Sequence, residues 1–270
     1  MVPTIFDTRA ELMVGGSGNG IHNFLSTDGC ARAANIRASL PIATDPSAPV
    51  VSRDSGTFFH AMLREYYKGT IETSKDFSWA LHSIAWEEAL NRAIRAFDAY
   101  VKNYSSGEWG TNPRVEEHFT FTSIQQNPTA RFDLVATLTE QDISLLKTTS
   151  PDLYDIIEPG VYIVDHKLFD RRPNLIEYQN SVQMLAYQVF WNSYFQDKCK
   201  GAIVNVTVPL TRSVDFYRIF VPPPRPDQVK MVFSLLARAE KTLVRNEPNL
   251  TNCFKFGKPC PYLDIQCDRS

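Results

Sequence analysis

The run Val161-Tyr162-Ile163-Val164-Asp165-His166-Lys167 sets four β-prone apolar residues ahead of an acid, a histidine and a lysine. On a strand, alternate side chains share a face, so Asp165 and Lys167 point the same way at the strand's exit. The apolar run fits a strand buried on both faces. Ending such a strand with a carboxylate and an ammonium on one face is costly unless something uses them. A divalent cation and a phosphate would use both, and a surface ion pair closing a core strand is the plainer alternative.

Three other segments carry groups of related chemistry. Asp133 interrupts the β-prone Arg131-Phe132-Asp133-Leu134-Val135, either as a presented ligand or as a solvated acid on an edge strand. His60 follows Gly56 by four residues at the start of an aromatic-rich helix, where an imidazole can be a ligand or a packing residue. Gln183 and Tyr187, four residues apart, share one helical face, which could equally be half core and half surface.

The elements that must hold these groups follow from periodicity and breakers. A helix is predicted from Asp54-Ser55-Gly56 through Tyr66, with Asp54 or Ser55 as its cap and Gly69-Thr70 as its end. A longer helix covers about residues 79–104. Strands are predicted over 115–122 and 131–138, and residues 140–159 form an insertion with a short helix. The strand beginning at Val161 follows, then a helix over about 175–195, a strand pair over 202–209 and 214–221, and a last helix over about 226–244. This order predicts an α/β (α+β) fold with a mixed central sheet flanked by helices. One domain of 270 residues is expected: an N-terminal segment 1–53, a core 54–222 and a C-terminal helix and cysteine tail 223–270.

The composition is that of an ordinary globular chain, and a net charge of −2 gives no global attraction to a polyanion, so any nucleic-acid site must be local. Residues 13–20 are glycine-rich, but no Gly-Lys-Ser/Thr follows, which argues against a Walker phosphate loop and an ATPase motor. The first residues lack a signal-peptide profile and no run approaches membrane-spanning length. The reading is an intracellular, cytoplasmic protein with no membrane partner, of viral or prokaryotic origin among the options, whose five cysteines are thiols or metal ligands.

In chain order, Gly-x3-His (Gly56, His60), an Asp on a strand (Asp133), Asp-x-Lys ending the next strand (Asp165, Lys167) and Gln-x3-Tyr on the following helix (Gln183, Tyr187) resemble the RecB-like branch of the PD-(D/E)XK nuclease superfamily. That branch includes CRISPR-associated RecB-like nucleases and viral exonucleases. The resemblance implies a restriction-endonuclease-like core. It implies His60, Asp133 and Asp165 as metal ligands, joined by the backbone carbonyl of His166, with Asp133, Asp165 and Lys167 as the catalytic set. It also implies Gln183 and Tyr187 as residues that hold the DNA backbone. Two departures stand out: Ala130 replaces the family's usual glycine ahead of Arg131, and the 140–159 insertion lengthens the gap from Asp133 to Asp165.

The chemistry is consistent with that resemblance. Two carboxylates and a neutral imidazole suit Mg²⁺ or Mn²⁺. A protonated Lys167 beside them stabilises developing charge while water attacks phosphorus directly.

Cys253, Cys260 and Cys267 are evenly spaced, and Cys30 lies ahead of the Gly-x3-His helix. One early and three late cysteines resemble the iron–sulfur staple of many RecB-like nucleases, which implies a [4Fe–4S] cluster tying down the tail. Zinc is the runner-up, although no pair stands two to four residues apart, and plain thiols are the third option. Cys199 is left over.

Arg131, Arg171 and Arg172 are candidate phosphate contacts, and Lys230, Arg238, Lys241 and Arg245 on the last helix are either further contacts or a solvated face. Phe58, Phe59 and Tyr66 are candidates to stack unpaired bases or, more plainly, core.

The expected function is a metal-dependent deoxyribonuclease, a single-strand-preferring exonuclease in DNA recombination, repair or CRISPR or viral DNA processing. DNA is the expected partner, with a recombination, helicase or CRISPR-adaptation protein beside it. The alternative is a non-catalytic nucleic-acid-binding or assembly subunit that keeps the fold.

Overall fold

The computed structural model describes residues 4–5, 51–79, 84–110, 112–120, 129–150, 153 and 155–245. Cys30, Cys253, Cys260 and Cys267 lie outside the described residues, as does the glycine-rich stretch 13–20. The chain falls into two compact units. The first comprises residues 1–6, 49–117 and 132–225, and holds every catalytic and metal-ligand candidate except the four cysteines. In the second, the principal described element is the helix Pro226–Arg245. Lys230 on that helix is exposed.

The centre of the first unit is a five-stranded mixed sheet in the order β3-β4-β5-β6-β7. Its members are β3 (Arg114–Thr120), β4 (Thr129–Leu138), β5 (Gly160–Leu168), β6 (Cys199–Pro209) and β7 (Val214–Val221). Two short segments, β1 (Thr4–Ile5) and β2 (Ser78–Trp79), pair in parallel apart from it. Strand β5 lies in the middle, antiparallel to β4 and parallel to β6, with β7 antiparallel on β6. Val161 to His166 are all buried, as the continuous apolar run requires of a central strand. The long connection that a parallel pair needs is supplied between β5 and β6 by two helices, α4 (Leu175–Gln179) and α5 (Val182–Tyr194).

One predicted helix is thus two. Asn174 caps α4 by accepting a hydrogen bond from Ile176 N, and Asn180 closes it. Ser181 then stands as N-cap of α5 with extended backbone. Adjacent polar residues that favour caps over helix interiors explain the break. Two other boundaries also differ from expectation. Helix α1 runs Val51–Tyr67, so Ser55 lies inside it and donates back to Val51 O rather than capping. Helix α2 is described from Ile84 to Asn103, and Trp79 belongs to β2. Helix α3 (Glu140–Thr149) is the short helix expected within the 140–159 insertion and opens with a capping box between Thr139 and Asp142.

Helices α1 and α2 pack on one face of the sheet. Phe59, Met62, Ala93 and Phe97 join Leu134, Ala136, Tyr162, Val164 and Ile203 in one core. Phe58, Phe59 and Tyr66 are buried in it, which leaves them no face for stacking bases. Phe97 is fully buried and meets Tyr66 edge-on, with ring centroids 5.8 Å apart. Among the described residues no helix is long and apolar enough to cross a membrane. The buried Cys199 Sγ donates to Gly201 O at 2.9 Å, and burial pushes its thiol up to about 11.

Two outcomes are expected. Phe97→Ala should cost about 3–5 kcal/mol of unfolding free energy, read from urea curves. Cys199 should resist alkylation at mildly alkaline pH in the native protein and react once unfolded, as peptide mapping would show.

Candidate active site

The β4–β5 ladder is regular from Leu138–Gly160 to Leu134–Val164 and stops there. The next residues outward are Asp133 and Asp165. Beyond the last pair, His166 N–H donates to Asp133 Oδ2 at 2.9 Å, so a side chain takes the place of a main-chain partner. His60, on α1, puts Nδ1 3.2 Å from the same oxygen. On β5, Lys167 Nζ stands 2.7 Å from Asp165 Oδ2. That contact is a close ion pair, and the buried Asp165 Oδ2 has no better-aligned hydrogen-bond partner among the described residues. On α5, Gln183 Nε2 donates to Tyr187 OH at 2.9 Å. This leaves the phenol's own hydrogen free to be donated onward.

The electrostatics separate the two acids. Burial disfavours the Asp133 carboxylate, yet His60, with help from Lys167, outweighs it and holds the group well below the usual range. Asp165 moves the opposite way, because burial and repulsion from Asp133 exceed the pull of Lys167. Burial also disfavours the Lys167 ammonium, but Asp165 and Asp133 more than compensate, so its pKa is raised and it stays charged. Tyr187 is raised by burial and by the Asp165 charge, hence a neutral phenol. Burial lowers His166 to about 3, so its ring is neutral. Two neighbouring carboxylates pushed apart in this way mark a site where their tasks differ.

Asp165 is the group with unmet demand for positive charge. Its carboxylate, the Asp133 carboxylate and the His60 imidazole make a hard, oxygen-rich donor set that suits Mg²⁺ or Mn²⁺. The donors are gathered but not closed into a cage: among the described residues no three His, Cys, Asp or Glu groups already form one. His60 sits instead on Asp133.

The remaining predicted residues lie around this centre or apart from it. Arg131 is partly exposed, two positions before Asp133 on β4. Arg171 and Arg172 are exposed after β5, and Arg172 lies over the Tyr217 ring, 5.2 Å from its centroid. Sequence reasoning missed Glu116. Its backbone is left-handed (φ 52°), a strained state for a residue with a side chain. It lines a small cleft shared with His60, Arg64, Asp133 and His166, and its carboxylate is 3.5 Å from Arg64 Nη1. Only the φ value marks it, and no sequence pattern reports that. Asn205, Glu108 and Arg218 were also missed.

Lys167→Met should leave Asp165 buried beside Asp133 without a counter-charge. In chelator-treated protein it should lower unfolding free energy by about 3–5 kcal/mol, and adding Asp165→Asn to it should recover most of the loss.

No curated protein matches the chain. SSO0001, known from a crystal structure, is similar at 12% identity over 90% of this chain and 94% of its own, with a TM-score of 0.34. A family model described as the PD-(D/E)XK nuclease superfamily matches residues 26–265, a span that contains β3 to β7 and every group described above. The chain belongs to the PD-(D/E)XK nuclease superfamily.

Proposed function

We propose that the chain is a metal-dependent deoxyribonuclease of the RecB-like branch, an exonuclease preferring single strands. One observation carries the reading: where β4 and β5 part, Asp133 is fixed by His60 and the His166 peptide, beside the Asp165–Lys167 pair. His60, Asp133 and Asp165 would hold Mg²⁺ or Mn²⁺, with the His166 carbonyl as a further ligand. A bound divalent cation supplies Lewis acidity toward a phosphate and a water of lowered pKa. Lys167, kept protonated by both acids, places a positive charge where negative charge develops on the phosphate. Tyr187, its oxygen already accepting from Gln183, donates toward a phosphate oxygen and orients the strand. Arg131, Arg171 and Arg172 contribute backbone contacts that position without reading sequence.

Cys30, Cys253, Cys260 and Cys267 supply the four thiolates of a [4Fe–4S] cluster, with zinc as the competing occupant. Iron and sulfide analysis of anaerobically purified protein should find both. Stoichiometric zinc without iron would overturn the cluster.

The activity is tested on labelled single-stranded, double-stranded, end-blocked and circular DNA with Mn²⁺ or Mg²⁺. Linear single strands should shorten from a free end, circles should persist, and Lys167→Ala or Asp165→Ala should slow cleavage by about 10²–10³-fold. Identical products from wild type and both variants would leave the non-catalytic binding subunit as the better account.

A further inference from the structure

The side chain of His166 takes no part in the contacts between the two acids, His60 and Lys167. Its ring faces α1 and α2, 2% exposed, stacked on Tyr67 with centroids 5.6 Å apart and planes at 24°. Tyr100 meets it edge-on at 6.1 Å. Directly across on β6 is Asn205, and directly across from Asn205 on β7 is Arg218. Three polar side chains therefore form one row over three adjacent strands.

The hydrogens along this row can be assigned. Arg218 has donors only, and its Nε approaches Asn205 Oδ1 at 3.4 Å, which fixes which end of the amide faces β7. The Asn205 amino group then faces His166 Nδ1 at 3.2 Å and Tyr100 OH at 2.6 Å. An amino group needs an acceptor, so Nδ1 carries no hydrogen and the single ring hydrogen is on Nε2. Nε2 is buried without a hydrogen-bond partner among the described residues, on a ring that lines the cleft beside His60, Asp133 and Glu116.

The far end of the row is anchored. Arg218 pairs with Glu108, the two side chains 3% and 4% exposed. Arg218 Nη1 also donates to Ser150 Oγ at 2.7 Å. Glu108 Oε1 accepts from the hydroxyls of Tyr67 and Tyr100 at 2.8 and 2.9 Å, and Trp109 Nε1 donates to the Tyr67 hydroxyl at 3.0 Å. A buried ion pair of this kind is weak evidence for stability, because apolar residues of equal volume often do as well. What it does hold is orientation. Both Tyr67 and Tyr100, which clasp the His166 ring, are pinned by it.

Resting on the nuclease reading above, we propose that Glu108, Arg218 and Asn205 are positioning residues. They fix the His166 ring as its Nε2–H form and, through the ring, the peptide whose N–H anchors Asp133.

The test uses long-range proton–nitrogen NMR on the metal-free full chain with labelled histidine, paired with calorimetric Mn²⁺ titration. Wild-type His166 should show the Nε2–H pattern. Asn205→Asp, which can only accept, should reverse it to Nδ1–H and weaken Mn²⁺ binding by about 10-fold. Arg218→Lys keeps the charge beside Glu108 but loses the donor to Asn205, and should give a mixture of both forms; it serves if Asn205→Asp does not fold. A wild-type Nδ1–H ring, or variants with unchanged ring signals and Mn²⁺ affinity, would overturn the proposal. The expected ring patterns without any DNA cleavage would sink the nuclease reading alone, and cleavage with the wrong ring pattern would sink only the positioning row.

Discussion

The hydrogen bond from His166 N–H to Asp133 Oδ2 is the joint on which the site depends. Strands β4 and β5 pair by main-chain hydrogen bonds up to Leu134 and Val164 and then separate. A main-chain N–H stranded at that fork is expensive to bury unpaired. Asp133 satisfies it and, in doing so, turns its carboxylate into the gap. The same oxygen receives His60, which ties α1 to the mouth of the fork. One unmade backbone bond thus gathers an acid, an imidazole and the strand that carries Asp165 and Lys167.

From this follows the division of labour between the acids. Asp133 is surrounded by positive or donating neighbours and remains ionised, whereas Asp165 is buried beside it with Lys167 as its main relief. A site with one settled carboxylate and one needing charge is set to recruit a cation, and the lysine keeps the metal-free protein tolerable until it does. Membership of the PD-(D/E)XK nuclease superfamily accords with this arrangement.

Much of this was legible in the chain because its signals are local. Four apolar residues running into Asp-His-Lys foretell a buried strand with functional groups at its end, and Val161 to His166 are buried. The 140–159 insertion was readable as carrying a short helix, and α3 occupies its first half behind the Thr139–Asp142 capping box. The break at Asn180-Ser181 was missed because apolar periodicity continues across it while the caps act on the backbone alone. Asn205, Glu108 and Arg218 were invisible for another reason. Each is an isolated polar residue in an otherwise ordinary segment, and their relation exists only through cross-strand register and a contact between residues 108 and 218. The strained backbone of Glu116 likewise has no counterpart in residue type or spacing.

Helix α5 differs from the other helices in being enclosed on every side from Met184 to Trp191. A rod so encased has no freedom to roll or slide without opening voids around it. The phenol at 187 is therefore a stationary post, and differences in the shape of an incoming polymer must be absorbed by whatever part of the pocket can still bend. Lys167, one quarter open to solvent, is less enclosed than that post. One wall of the pocket is thus fixed by packing, whereas the ammonium beside it is held by charge.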